Sequence, residues 1–311
     1  MLRDILDRGS QGDQSMSQAL LSAPSGPWSH HYAVVNGVRL HYVAAGTGPP
    51  VLLLHGFPEF WYSWRHQLTA LAAAGFHAIA PDLRGYNESA RPPGVRAYRL
   101  EALTGDVAGL VRHLGHERAV IVGHDWGGAI AWHTALTRPE VVERLLILNA
   151  PHPATFFREL RTWAQLRKSW YIFFFQLPLL PELAIRSDNF AGLEHVLRTD
   201  PLRPGTFSTT DIRRYREALS RPGALTAAIN YYRALFRRNP FQAWGEVKPT
   251  DVPTLVIWGE HDRYLGLRLL DGLDRWVRRL RVERLPGVSH WVQNEAPERV
   301  NALMLDFLRG S

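Results

Sequence analysis

Apolar residues recur along this chain in short, nearly continuous runs, each ending in polar or glycine residues. They are VLLLHG from Val51, HAIAPD from His77, AVIVGHD from Ala119, RLLILNA from Arg144 and TLVIWGEHD from Thr254. Runs of this length without alternation suit parallel strands buried on both faces. Helical patterns lie between them: residues 64–74 close at Gly75, 103–114 close at Gly115, and 128–137 stop before Pro139. Two earlier segments, HHYAVVNG and VRLHYVAAG, alternate like an antiparallel ribbon turning at Asn36-Gly37. Strands alternating with helices predict a mostly parallel, doubly wound α/β sheet.

The alternation breaks after Asn149-Ala150-Pro151. From there to about Pro249 the pattern is helical and aromatic, and at Thr254 the buried-strand pattern resumes. The expected organisation is a flexible tail over 1–28, a core over 29–150 and 250–311, and a helical cap over 151–249 inserted into it. The tail is rich in Gly, Ser, Gln and Asp, and Met16 is a second candidate start.

Composition narrows the class. A chain of 311 residues, 46% hydrophobic, buries a large core as one domain with an insertion. The absence of cysteine excludes disulfides, thiolate-held zinc and a thiol nucleophile, and fits a cytoplasmic setting. A net charge of +7 and a pI near 10 raise the question of nucleic acid. The arginines are scattered, however, with local groups at 213–216, 233–238 and 275–284, and read as solvated helix faces. The longest aromatic run, WYIFFFQLPLL from Trp170 to Leu180, is too short to span a bilayer, which needs about 20 residues. Neither a nucleic-acid nor a membrane partner is expected.

Candidate chemistry gathers where strands end, outside whose carboxyl edge open α/β sheets bind ligands. His55, Asp82, Asp125 and Asp262 each follow a strand, and His290 follows the strand-like RVERLPGVSHW. GHDWGG, residues 123–128, fits the strand–turn–helix elbow of a serine hydrolase with aspartate as nucleophile. An Asp after a strand is also an ordinary helix cap, but Asp262 and His290 follow in the order of a hydrolase triad. A carboxylate is a poor nucleophile toward an acyl carbon. At a saturated carbon it displaces a leaving group and becomes an alkyl ester. His290 then serves as base for water attacking that ester, and Asp262 orients its ring. The backbone N–H groups of Phe57 and Trp126 are the expected oxyanion donors, and Pro58 shapes the loop.

In-line displacement points the leaving atom at the cap. An epoxide oxygen needs a proton donor there, and tyrosine supplies one at neutral pH. The cap offers Tyr171, Tyr231 and Tyr232; helical geometry lets only one of the last two face a cavity. Trp61, Trp126 and the Phe173 to Phe175 cluster are candidate channel walls, as is Trp291. Asp82, Arg84 and Tyr86 are expected to be structural, and His124 positional.

HGFPEFWYSWR from His55, APDLRGYNES from Ala80, GHDWGG, the FQLP and NYYR cap segments, GEHD and GVSHW together resemble the epoxide hydrolase family of the α/β hydrolase fold. The resemblance runs from about His30 to the C-terminus, tightest in the core motifs. It implies hydrolysis of a small apolar epoxide to a vicinal diol with water, without metal or organic cofactor, in a monomer or homodimer. It places the nucleophile on Asp125, the relay acid on Asp262, the base on His290 and the proton donors on Tyr171 and Tyr232. Tyr231 stands where the family often has Trp; it, Trp61, Phe175 and Trp291 are the expected substrate-binding residues. The alternative, haloalkane dehalogenase, shares GHDWGG, the acid and the base, and would use the Trp126 indole on halide. Those enzymes usually carry Asn where Phe57 stands. A ligand-binding protein on a hydrolase scaffold would not need the full acid–base set.

Overall fold

The five apolar runs all become buried strands, because a segment apolar on both faces is stable only with layers on both sides. The computed structural model describes residues 24–237 and 247–310. The expected tail up to residue 23, with Met16, lies outside the described residues, as do residues 238–246 of the expected cap, with Arg238.

The strands are β1 (Ser29–Val35), β2 (Val38–Ala45), β3 (Pro50–Leu54), β4 (His77–Pro81), β5 (Ala119–His124), β6 (Val142–Leu148), β7 (Thr254–Gly259) and β8 (Leu280–Leu285). They form one sheet in the order β1-β2-β4-β3-β5-β6-β7-β8, in which only β2 runs against the rest. The β1–β2 hairpin turns at Asn36 and Gly37, whose φ of 49° and 72° are the two left-handed positions of a tight turn. The centre of the sheet is dry: Leu52, Ile121 and Leu145 stand in register across β3, β5 and β6, each without exposed surface.

Helices α1 (Arg65–Ala73), α2 (Leu100–His113) and α3 (Trp126–Thr137) cross between strands. Between β6 and β7 every described element is helical: α4 (Pro153–Glu159), α5 (Trp163–Lys168), α6 (Trp170–Phe174), α7 (Leu180–Thr199), α8 (Thr209–Ser220) and α9 (Ala224–Phe236). The chain closes with α10 (Val292–Glu295) and α11 (Pro297–Arg309), and α11 packs with α1 as α3 packs with α2. Among the described residues no helix is long and apolar enough to cross a membrane.

Polar contacts fix the inserted helices over the strand ends. Tyr62 Oη donates to Asp211 Oδ1 at 2.8 Å, Ser63 Oγ and Tyr215 Oη are 2.8 Å apart, and Tyr231 Oη donates to the Arg84 carbonyl at 2.7 Å. Arg233 forms a two-pronged ion pair with Glu182, 2.7 and 3.0 Å, that ties α9 to α7. Three of these four contacts are made by a tyrosine hydroxyl; tyrosine combines a large apolar face with one hydrogen bond and so suits a wall between two layers.

Candidate active site

Asp125 caps α3 with φ 50° and ψ −118°, a backbone conformation rarely adopted by a non-glycine residue. The turn closes tightly because the residues two before and two after Asp125 are glycines: a Cβ at Gly127 would lie 2.0 Å from the Leu54 carbonyl oxygen, and one at Gly123 2.3 Å from the Gly127 carbonyl oxygen. The sharp turn lifts the carboxylate off the sheet, ahead of the N-terminus of a twelve-residue helix that favours negative charge there. Phe57 N–H donates to Asp125 Oδ1 at 2.8 Å, and Trp126 N–H also bonds the carboxylate. The two backbone donors expected from the motif therefore converge on one carboxylate.

His290 Nε2 stands 3.8 Å from Asp125 Oδ2, and His290 Nδ1 is 2.7 Å from Asp262 Oδ2. Asp262 in turn accepts from Asn149 Nδ2 at 2.7 Å and from the N–H groups of Tyr264 and Leu265 at 2.7 and 2.9 Å. Burial opposes charge on all three catalytic candidates. It raises Asp125 above the usual carboxylate range, although His290 pulls the other way. At His290 burial is outweighed by Asp262, through charge and hydrogen bond, with Asp125 adding to it, and the ring is pushed up to about 9. Asp262 ends below its usual value because His290 and its donors overcome the burial.

The loop carrying Asp262 is held from the inserted helices as well. Gln165 of α5 donates to the Tyr264 carbonyl at 2.8 Å and accepts from Gly266 N–H at 3.1 Å; Lys168 Nζ donates to the Asp262 carbonyl at 2.6 Å.

Above Asp125 lies a cavity of about 290 Å³. Its walls include Phe57, Trp170, Phe174, Phe175, Tyr264 and Trp291, and Asp125, His290, Tyr171 and Tyr232 face it. A second arm of about 70 Å³ opens on the other side of the same carboxylate, again between Tyr171 and Tyr232, with Trp126 and Leu265 in its wall. Burial and the charge of Asp125 raise both tyrosines well above the usual phenol value, so both remain protonated donors.

Two expected contacts are corrected. Tyr231 does not reach either arm: it is fully buried, bonded to the Arg84 carbonyl and ringed by Tyr86, Tyr98 and Trp126. The 100° step between neighbours in a helix points Tyr232 at the cavity and Tyr231 into the core. Trp61 is likewise no channel wall. Its ring packs edge-on against Trp28, His30 and Phe60, and its backbone N–H donates to Asp82 Oδ1 at 3.1 Å. Phe175 and Trp291 do line the larger arm. Arg84 pairs with Asp106 at 2.6 and 2.7 Å, and Asp82 with His41 at 2.6 Å, so the loop after β4 is structural. Tyr86 Oη is buried there without a partner.

Three residues of the site were not singled out by sequence. Asn149, at φ 39°, bridges Gly259 N–H and Asp262 across the ends of β6 and β7. Tyr264 sets its ring 5.3 Å from that of His290. Glu59 accepts from Gly56 N–H at 3.0 Å, His124 Nδ1 at 2.8 Å and Gln293 Nε2 at 2.9 Å; burial opposes its charge, but His124, with the hydrogen bonds of Gly56 N–H and Ser63, holds it down at about 2. His124 Nε2 reaches the His290 carbonyl at 2.9 Å, which gives it the positional place expected. The one available signal was position: Asn149 and Tyr264 lie at strand ends, and Glu59 sits in the HGFPE loop.

A model of the alpha/beta hydrolase fold family matches residues 49–297. The chain is 42% identical over 279 residues to the AB hydrolase superfamily protein YfhM of Bacillus subtilis, covering 88% of this chain and 96% of that protein. It is 40% identical over 287 residues to epoxide hydrolase 3 of Xenopus tropicalis (88% and 76% covered) and 39% identical over 301 residues to human epoxide hydrolase 4 (94% and 82% covered). Among solved structures, Bacillus megaterium epoxide hydrolase in complex with an inhibitor superimposes with a TM-score of 0.83 at 35% identity, covering 89% of this chain and 99% of that one.

Proposed function

The chain belongs to the epoxide hydrolase family of the α/β hydrolase fold, hydrolases that act on epoxides, and from that premise we propose that it opens an epoxide to a vicinal diol through an ester on Asp125. The carrying observation is the junction of the two cavity arms, where a strained, partly open carboxylate faces two protonated tyrosines while Oδ1 accepts from Phe57 N–H and Trp126 N–H also bonds the carboxylate.

In the first step Asp125 Oδ2 attacks an epoxide carbon. The C–O bond on the far side breaks, and the oxygen that leaves takes a hydrogen bond and a proton from Tyr171 or Tyr232. In the second step His290 Nε2 takes a proton from water, which adds to the Asp125 carboxyl carbon. Charge grows on Oδ1, where Phe57 and Trp126 N–H meet it. Collapse of the adduct breaks the bond from the carboxyl carbon to Oδ2; the departing oxygen takes the proton held by His290, which frees the diol, and the remaining carboxyl proton, left from the water, returns to the tyrosinate. The diol's new oxygen comes from Asp125, and the water oxygen remains in the carboxylate. A single turnover in oxygen-18 water is therefore expected to give unlabelled diol and labelled Asp125. Label entering the diol in that first turnover would rule out the ester.

Halide displacement has less support. The Phe57 side chain carries no donor, and the Trp126 indole N–H is already directed at the Tyr232 hydroxyl.

Gly56 gives a local check on the nucleophile's placement. A Cβ there would meet Asp125 Cβ at 2.5 Å and Oδ1 at 2.6 Å. Gly56→Ala is expected to slow ester formation by about 10²-fold, because misplacement of roughly an ångström is enough. The measurement is the rate of the first turnover, read beside the thermal midpoint; a wild-type rate would separate the Gly56 loop from the nucleophile's alignment.

A further inference from the structure

We propose that the outer face of α5, α6 and the start of α7 docks on a lipid surface bearing anionic headgroups. Seven of the twelve exposed large apolar side chains among the described residues fall between Trp163 and Leu183. Trp163 is 74% exposed, Trp170 62%, Leu179 71% and Leu183 64%. A cluster of this kind is unusual on a folded protein and marks a contact surface. Leu179 also adopts φ 62°, a left-handed backbone that is unfavourable for leucine, and its side chain is left exposed among the described residues.

Charge selects the occupant. From Arg161 to Ser187 the sequence carries Arg161, Arg167, Lys168 and Arg186 against one acidic residue, Glu182, which is buried on Arg233. Arg161, Arg167 and Arg186 are exposed and have no carboxylate partner among the described residues; Asp188 is the next exposed acid along the chain. A two-fold contact between copies would bring these guanidiniums against their own counterparts, which opposes self-association. An anionic membrane meets both features at once: guanidiniums at the headgroups, tryptophan at the interface and leucine below it. No spanning helix is required, since the short helices lie along the surface. The sequence expectation of no membrane partner rested on span length alone and did not address this geometry.

The same face opens into the larger arm of the site, because Trp170 is both exposed and part of its wall. An apolar epoxide dissolved in lipid would enter there without crossing water. That consequence rests on the proposed function; the docking itself does not.

The test is sedimentation of the full chain with vesicles of phosphatidylcholine, with and without phosphatidylglycerol. Binding is expected to be at least about tenfold stronger with the anionic lipid and to fall with added salt. A Trp163→Ser, Leu179→Ser, Leu183→Ser triple variant is expected to lose it. None of these three lines the cavity, so turnover of a water-soluble epoxide without vesicles should stay at the wild-type rate. Arg161→Gln with Arg167→Gln and Arg186→Gln should remove the preference for anionic lipid. Absence of binding, equal binding by the triple variant, or a triple variant that changes only the oligomeric mass by light scattering overturns the proposal. Failure of epoxide turnover with vesicle binding intact would count against the proposed function instead.

Discussion

His290→Gln is expected to convert the enzyme into a trap: one equivalent of epoxide per site is consumed rapidly, and the ester on Asp125 then persists. Ester formation needs the carboxylate and the tyrosines, none of which this substitution removes, so the burst should stay within about tenfold of wild type. Ester hydrolysis loses its base and should slow by about 10³-fold or more. The ester is read as a mass increase on the peptide containing Asp125. Unchanged steady-state turnover would remove His290 from the role.

The pH dependence follows from the same pair. With Asp125 ionised, His290 is held up to about 9 and is a cation at neutral pH, which is the wrong state for a base. Esterification removes the negative charge of Asp125, one of the groups that raise the ring, while Asp262 remains. The ring's pKa must then fall, and the proton that blocks the base leaves once the ester has formed. Ester decay should therefore rise with pH to a plateau whose midpoint lies below about 9. Ester formation should fail at the acid side instead, as pH drops through a nucleophile pKa raised by burial above the usual carboxylate value. Single-turnover traces across pH separate the two limbs; a decay midpoint at or above the free-enzyme value would contradict the neutralisation argument.

Much of this site was legible because its residues sit at strand ends, and strand ends are marked in sequence by apolar runs stopping at polar residues. Asp125, Asp262 and the HGFP loop are of that kind. Phe57 and Trp126 could be named without seeing them because it is their backbone N–H that meets Asp125, fixed by the turn and not by a rotamer. What was not legible depends on contacts between segments far apart in the chain. Glu59 gains its place only when His124 arrives from the end of β5 and Gln293 from α10, and Gln165 only when α5 is laid on the Asp262 loop. Trp61 illustrates the opposite failure: a tryptophan next to a catalytic loop looks like a wall, yet β1 supplies His30 and the segment before it supplies Trp28 to close it off. Periodicity narrowed Tyr231 and Tyr232 to one inward residue but could not say which, since both flanks of α9 are buried.

The tyrosines carry the other large effect. Tyr171→Phe or Tyr232→Phe alone is expected to slow ester formation by about 10- to 10²-fold, since either hydroxyl leaves the other to meet the departing oxygen; the double variant should lose about 10³-fold or more. Ester hydrolysis should be nearly unaffected, because neither hydroxyl contributes to the water, His290 or the two backbone donors. Loss of the phenol ring cannot explain such a result, as phenylalanine keeps the apolar wall. Tyr231→Phe is the internal control. It deletes the 2.7 Å bond to the Arg84 carbonyl and should lower stability by about 1–3 kcal/mol while leaving the first turnover intact. If Tyr231→Phe instead abolishes the burst and Tyr232→Phe does not, α9 presents its other face to the substrate, and the donor assignment reverses. A double variant with an undiminished burst would mean that the epoxide oxygen is protonated from elsewhere; the imidazolium of His290, 3.8 Å from Asp125 and charged before alkylation, is then the next candidate.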